Sequence, residues 1–280
     1  MTQNLTAPAS SLPERLGLSD PGVREQLAAL PDSLALIGLT TDGQPVCVDV
    51  DNESPHVLVC SATGGGTTTV LRTLTAQFLH HGAHALILDL KRISHRWAHG
   101  LPGVTYCRDI ADIHDALVGL QAELARRIHH IDQHGHADDL PRLTVVIEAA
   151  DNTLNHLARH WGTVREKGDP MTPPAIAALE DLLFAGGHAR IHILMAGHLK
   201  RPFGPEAREF FATLVLGRVT TRTWRHMAPQ IGTVPKGNTH PGRVHVVQGL
   251  TAHPTQVLLM TDSEAAAWVT ATAAGETEED

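Results

Sequence analysis

Ser61-Ala62-Thr63-Gly64-Gly65-Gly66-Thr67-Thr68-Thr69 is the stretch on which the fold turns. The apolar run Val57-Leu58-Val59 leads into it, and Val70-Leu71, Leu74 and Phe78-Leu79 leave it at helical spacing. Strand, glycine turn and helix are the setting of a phosphate-binding loop. Successive backbone N–H groups in such a turn converge on an anion, and the helix N-terminus adds its dipole. A working loop reads G-x-x-x-x-G-K-[ST]. Here Ser61 holds the first glycine position and Thr67 the lysine position, while Thr68 keeps the hydroxyl that holds magnesium. The candidate nucleotide-binding residues are therefore Thr63, Gly64, Gly65, Gly66, Thr67, Thr68 and Thr69, in a loop without its charge. A plain flexible turn is the competing reading.

Outward from the loop the pattern alternates. Strands are predicted at His56–Cys60, Ala85–Asp89, Leu143–Glu148 and Ile191–Ala196, with a short one ending near Tyr106. Helices are predicted at Thr68–His81, Ile110–Ile131 and Pro174–Gly186, the second from Ile113, Leu117, Leu120, Leu124 and Ile128. This alternation argues for an α/β fold with a mostly parallel sheet, its strands buried on both sides and its helices on both faces. Upstream, Pro21–Leu30 reads as a helix capped by Asp20, and Ser33–Leu39 and Pro45–Val50 as a hairpin. Downstream, Glu206–Gly217 reads as helix and Thr220–Met227 as helix or strand. Arg243–Val247 and Thr255–Leu259 read as strands, followed by a helix capped by Ser263.

Composition narrows the function. The net charge of −8 excludes a uniformly basic nucleic-acid binder, so DNA contact would need a local patch or an oligomer. Cys47, Cys60 and Cys107 are odd in number and lack metal spacing, which suits a reducing cytoplasmic compartment. The N-terminus has no signal-peptide pattern, and no apolar run suggests a membrane span or an anchor of the chain's own. His129, His130, His134 and His136 gather near a helix end, where a solvated surface is favoured over a metal site. Arg126, Arg127, Arg159, Arg165 and Lys167 read either as a basic face toward DNA or as ordinary exposed cations.

A phosphate-loop nucleotidase also needs a carboxylate at the end of a neighbouring strand, and motors add a second to activate water. The candidate run is Leu143-Thr144-Val145-Val146-Ile147-Glu148-Ala149-Ala150-Asp151. Glu148 can reach magnesium, directly or through water; Ala149 cannot polarise water.

Several short motifs then occur in a telling order. Ser54-Pro55-His56-Val57-Leu58-Val59, the glycine loop and Leu86-Ile87-Leu88-Asp89-Leu90-Lys91-Arg92 resemble the FtsK/SpoIIIE motor domain. Ser94-His95-Arg96-Trp97, Leu101-Pro102-Gly103-Val104, His240-Pro241-Gly242-Arg243 and Thr251–Val257 extend the resemblance, which is nearest to actinobacterial members on conjugative elements. It runs from about Pro45 to Trp268. The resemblance implies a RecA-like P-loop core, placed at 33–270; composition sets off a partly disordered extension at 1–32, rich in Ser, Pro and Thr at its start, and an acidic disordered tail at 271–280. It also implies ATP and Mg2+ as ligands, double-stranded DNA as substrate, and a hexamer-like ring or a hetero-oligomer with an active motor.

Against that family the chain departs at three places. Thr67 replaces the loop lysine, Ala149 the second acid, and His198 the glutamine that senses the γ-phosphate. Loss of one electrostatic stabiliser costs about 2.7–4 kcal/mol, and loss of a general base about 100- to 10,000-fold. The leading expectation is an ATP-binding protein of DNA transfer or segregation, impaired in hydrolysis, with Glu148 and His198 as residual catalytic positions. The alternatives are an adaptor that lost nucleotide and a slow but genuine translocase. Lys91, after Asp89, reads either as a nucleotide contact or as half of a structural ion pair.

Overall fold

A computed structural model describes residues 14–199, 205–235 and 240–275. In chain order the first elements are β1 (Leu16–Gly17), α1 (Val23–Ala28), β2 (Leu34–Thr40), β3 (Pro45–Asp49), β4 (His56–Cys60), α2 (Thr67–His80), β5 (His84–Leu88), β6 (Val104–Cys107) and α3 (Ile110–His134). They continue with β7 (Leu143–Ile147), α4 (Ala150–Val164), α5 (Pro174–Ala185), β8 (Ile191–Ala196), β9 (Thr213–Leu216), α6 (Thr221–Met227), β10 (Arg243–Gln248), β11 (Thr251–Leu259) and α7 (Asp262–Gly275). One sheet takes them all, in the order β3-β2-β11-β10-β9-β4-β8-β7-β5-β6, with β1 beside β11. From β9 to β6 every pairing is parallel; from β9 through β10, β11, β2 and β3 every pairing is antiparallel.

The central parallel strands are mostly apolar because both their faces are covered, with His56, Thr144, His192 and Thr213 as buried polar exceptions. Side chains alternate across a strand. Leu58, Leu86, Leu88, Val145, Ile147, Ile193 and Met195 pack with Ile113, Leu117, Leu154, Leu179 and Leu182 of α3, α4 and α5. Val57, Val59, Ile87, Val146 and Leu194 pack the other way, with Leu71, Leu74 and Phe78 of α2 and with Trp268 of α7. Strand β4 lies between β8 and β9, so the glycine loop opens at the carboxyl edge of the parallel block, where α/β sheets bind ligands.

Several expectations are corrected. Glu206–Gly217 is no helix: a 3-10 turn over Pro205–Phe210 precedes β9, because Leu214-Val215-Leu216 fills the gap between β4 and β10. Gly22, not Asp20, caps α1, and the Asp20 carboxylate instead accepts the Gly17 N–H at 2.8 Å. Thr261 and Glu264 cap α7 reciprocally, with N–H to side-chain distances of 2.8 and 3.2 Å, displacing Ser263 from that role. Helix α4 is absent from the sequence reading. On α3 the buried stripe turns at its end: Ile128 is exposed, and Arg127 is buried in its place. Arg127 donates to Glu123 at 2.7 Å and to the Ala189 carbonyl at 2.9 Å, and Arg126 also pairs with Glu123. Arg127 is thereby drawn into the packing, while Arg126, Arg159, Arg165 and Lys167 are exposed. Residues 1–13, 236–239 within the Gly/Pro loop, and the acidic end 276–280 lie outside the described residues.

Candidate nucleotide site

Each part of the loop is fixed by its residues. Gly66, at φ 85°, is the left-handed N-cap of α2. Gly65 is required by space, since a Cβ there would come within 1.8 Å of Ser61 Oγ. Ser61 therefore occupies the first glycine position without obstruction, and its hydroxyl accepts the Arg218 N–H at 3.0 Å. Arg218 follows β9 and clamps the loop from outside. Its carbonyl accepts the Ala62 N–H at 2.8 Å, and its Nη2 donates to the Thr63 carbonyl at 3.0 Å. Val70 is the first N–H of α2 to reach back, to Gly66 at 3.0 Å. The N–H groups of Gly64, Gly66, Thr67 and Thr68 have no acceptor among the described residues. A helix start leaves such donors for an anion. Two open clefts of about 390 Å³ each are lined by Gly64 and Gly66. One continues to Thr67, Thr68, Lys91, Glu148 and His198; the other continues toward Arg218, Arg243 and Gln256.

Glu148 ends β7 and is buried beneath the first cleft. Thr68 Oγ1 lies 3.1 Å from both carboxylate oxygens. Lys91, in the turn that follows β5, donates from Nζ to Oε1 at 3.0 Å. His95 reaches Oε2 through Nε2 at 3.2 Å, and Trp97 Nε1 lies 3.4 Å from His95 Nδ1. The indole can only donate, which makes Nδ1 the acceptor and puts the His95 proton on Nε2, toward Glu148. Asp89 builds the turn that delivers both residues: its Oδ2 accepts the Ser94 and His95 N–H groups at 2.8 and 2.9 Å and the Tyr106 hydroxyl at 2.8 Å. Burial, with that carboxylate beside it, pushes the Tyr106 hydroxyl well above its usual range. The partner of Lys91 is thus Glu148, across two strands.

Burial pushes the Glu148 carboxyl upward, but the hydrogen bonds from His95 and Lys91, with the Lys91 charge, outweigh it and hold it below the usual 4.5. A depressed folded value contributes stability above the unfolded value that is lost as pH falls through the folded one. Glu148→Gln is accordingly expected to flatten the acid limb of a melting-temperature profile, read between about pH 3 and pH 6. An acid limb identical in the two proteins would contradict this placement of the charge.

The remaining positions are close by. Ala149 sits at φ 49°, ψ 51°, a left-handed conformation unusual for alanine, as the N-cap of α4. Such a conformation costs on the order of 1–3 kcal/mol and is a mark of functional sites. Alanine places only a methyl group at that bend. His198 lines the same cleft, with its N–H donating to Asp151 Oδ2 at 2.7 Å and its Nδ1 3.6 Å from that oxygen. Thr68 and Glu148 offer the hard oxygen donors that magnesium prefers. Magnesium arriving with a nucleotide would be held by the Thr68 hydroxyl and by Glu148 through water, and would supply charge neutralisation to the phosphates.

The sequence reading brought Thr63–Thr69, Glu148 and His198 to one place, and the structure puts all of them around these clefts. It missed Arg218, His95 and Asp151. Gly217-Arg218 directly after an apolar triplet was the available signal for the first. Among the described residues no cluster of three or more His, Cys, Asp and Glu side chains is arranged to hold a metal. His130 instead pairs with Asp139 at 2.9 Å.

A central parallel strand, a glycine loop capping the next helix, and an acid on a nearby strand edge define a RecA-like P-loop ATPase fold. Residues 35–183, more than half of the chain, match the family described as helicase HerA, central domain. The chain belongs to that family. No curated protein matches it. Among solved structures it resembles the pCW3 conjugation coupling protein TcpA, in a monomer form with ATPgS, at 17% identity and a TM-score of 0.70, covering 93% of this chain and 75% of that one. It also resembles ATPases 2 and 3 of EssC from Geobacillus thermodenitrificans at 16% identity and a TM-score of 0.75, covering 97% of this chain and 53% of that one. The type VII secretion ATPase EccC of Thermomonospora curvata gives 17% identity and a TM-score of 0.63 over 86% of this chain. The chain spans about half of the EssC fragment and 31% of the EccC domain. No helix among the described residues is long and apolar enough to cross a membrane.

Proposed function

We propose that this protein is an FtsK/SpoIIIE-like ATP-binding protein of DNA transfer or segregation, of the actinobacterial conjugative-element type, with impaired hydrolysis. It works with or beside an active double-stranded DNA translocase, as a ring of its own or a mixed one, through the domain at 33–270. The single observation that carries this is the pairing of Thr68 with Glu148 beneath a glycine loop that keeps its open N–H groups but not its lysine, with alanine at the strained position 149. The parts that bind phosphate persist; the part that activates water is gone. The conjugation protein among the similar folds supports a DNA role, and the EssC and EccC likenesses keep secretion as the competing process.

ATP with Mg2+ is expected to raise the melting temperature, with stabilisation of about 2.7 kcal/mol at a hundredfold excess over the dissociation constant. DNA binding should be independent of sequence and fall steeply with salt. A second reading, an adaptor without nucleotide, is favoured by one feature: Glu148 is already paired with Lys91 and hydrogen-bonded by His95 and Thr68. Absence of any melting shift at millimolar ATP would decide for the adaptor.

A further inference from the structure

We propose that Lys91 is the cation that contacts the phosphates of a bound nucleotide, in the role that Thr67 leaves open. The inference rests on the nucleotide-binding reading and names the residue that supplies its charge. Lys91 reaches the site from a different strand than the loop does. Its Nζ lies 3.0 Å from Glu148 Oε1, which in turn lies 3.1 Å from the Thr68 hydroxyl, so one carboxylate separates the ammonium from the loop. Lys91 and the loop line the same cleft, and among the described residues that line it Lys91 is the one lysine or arginine.

The ammonium is also free to serve a ligand. An ammonium carries three donors, and one of the three on Lys91 is engaged among the described residues. Its side chain is 48% exposed, whereas Glu148 is 2% exposed. Glu148 does not need Lys91 for satisfaction, because Thr68 and His95 already donate to its two oxygens. The ammonium end of the pair faces solvent, so it can take a further partner without leaving the carboxylate. A phosphate, with several charged acceptor oxygens, offers the two remaining donors stronger partners. The flexible four-carbon stem lets the head move toward the loop without leaving Glu148.

The experiment is calorimetric titration of ATP, ADP and adenosine into the full chain, into Lys91→Met, and into Lys91→Met combined with Thr67→Lys. The natural chain should prefer ATP to adenosine. Lys91→Met should weaken ATP at least about tenfold, the scale of one charged hydrogen bond, and leave adenosine unchanged. Thr67→Lys should raise ATP affinity again in the Lys91→Met background, showing that the double variant is folded and that the loss was one of charge at the phosphates. Lys91→Arg, which keeps the charge, should bind ATP within about threefold of the natural chain; it also serves if Lys91→Met does not fold. Equal ATP affinity in the natural chain and Lys91→Met overturns this inference alone. Absence of binding by the natural chain overturns the nucleotide reading and this inference with it.

Discussion

The triple variant Thr67→Lys, Ala149→Glu, His198→Gln is expected to release phosphate from ATP at least about a hundredfold faster than the natural chain, the low end of the effect of a positioned base. A lysine at 67 restores a charge to the β- and γ-phosphates, and such stabilisers contribute about 2.7–4 kcal/mol at the transition state. A glutamate at 149 takes the place of an alanine already held at φ 49°, on the cleft shared with Thr68 and Glu148. Glu148 stays as it is, because both its oxygens already lie 3.1 Å from Thr68. Shortening it to aspartate would break contacts with Thr68, Lys91 and His95 and gain no reach. Steady-state phosphate release, with and without double-stranded DNA, is the readout. The contributions are not additive, since the residues act as one unit. Thr67→Lys alone should improve affinity and leave turnover near background. If the triple variant binds ATP and remains inert, the defect extends beyond these motifs.

Arg127→Ala carries the second large effect, on stability. The guanidinium is buried between α3 and the turn before β8, donating to Glu123 and to the Ala189 and Arg190 carbonyls. Glu123 keeps Arg126 and is part-exposed, so the direct loss is that of hydrogen bonds from a charged donor, about 1.5–3 kcal/mol. Two further losses follow, the packing of the long stem and the satisfaction of two carbonyls. Denaturant unfolding should show the loss as a lower midpoint with an unchanged slope. DNA affinity per folded molecule should not change, which separates the packed arginine from a nucleic-acid contact. A stable Arg127→Ala protein with weakened DNA binding would reverse that assignment.

The parallel half of the fold was legible because its strands are continuous apolar runs bounded by glycine and polar turns. Val57–Val59, Leu86–Leu88 and Val145–Ile147 need no tertiary information to be read as buried strands. Thr213–Leu216 has the same chemistry but only four residues, and the charged stretch before it mimics a helix. Length is what separates short buried strands from helix fragments, and here it failed. Helix α4 was missed for the opposite reason: it buries only Ala150, Thr153, Leu154 and Leu157 and shows no leucine stripe.

The site divides along the same line. The loop and Glu148 announce themselves because their residue types have few other uses in that order. Lys91, His95 and Arg218 act through contacts across strands, with sequence separations of 57, 53 and 155 residues to Glu148, Glu148 and Thr63. Nothing local in the chain encodes those meetings. They follow from the strand order, which places β5 beside β7 and β9 beside β4. Arg127 shows the same limit from the other side, as a charged residue at the end of an apolar stripe that packing draws inward.

The most direct test measures binding and turnover on one sample of the natural chain with Mg2+ and ATP. Calorimetry should give heat of binding and a melting shift that saturates with ATP, while phosphate release stays at the buffer rate over the same hours, with or without double-stranded DNA. Sustained release on the order of 1 per second or faster, within the range typical of working enzymes, would contradict the account, because it would require a water-activating group where Ala149 stands.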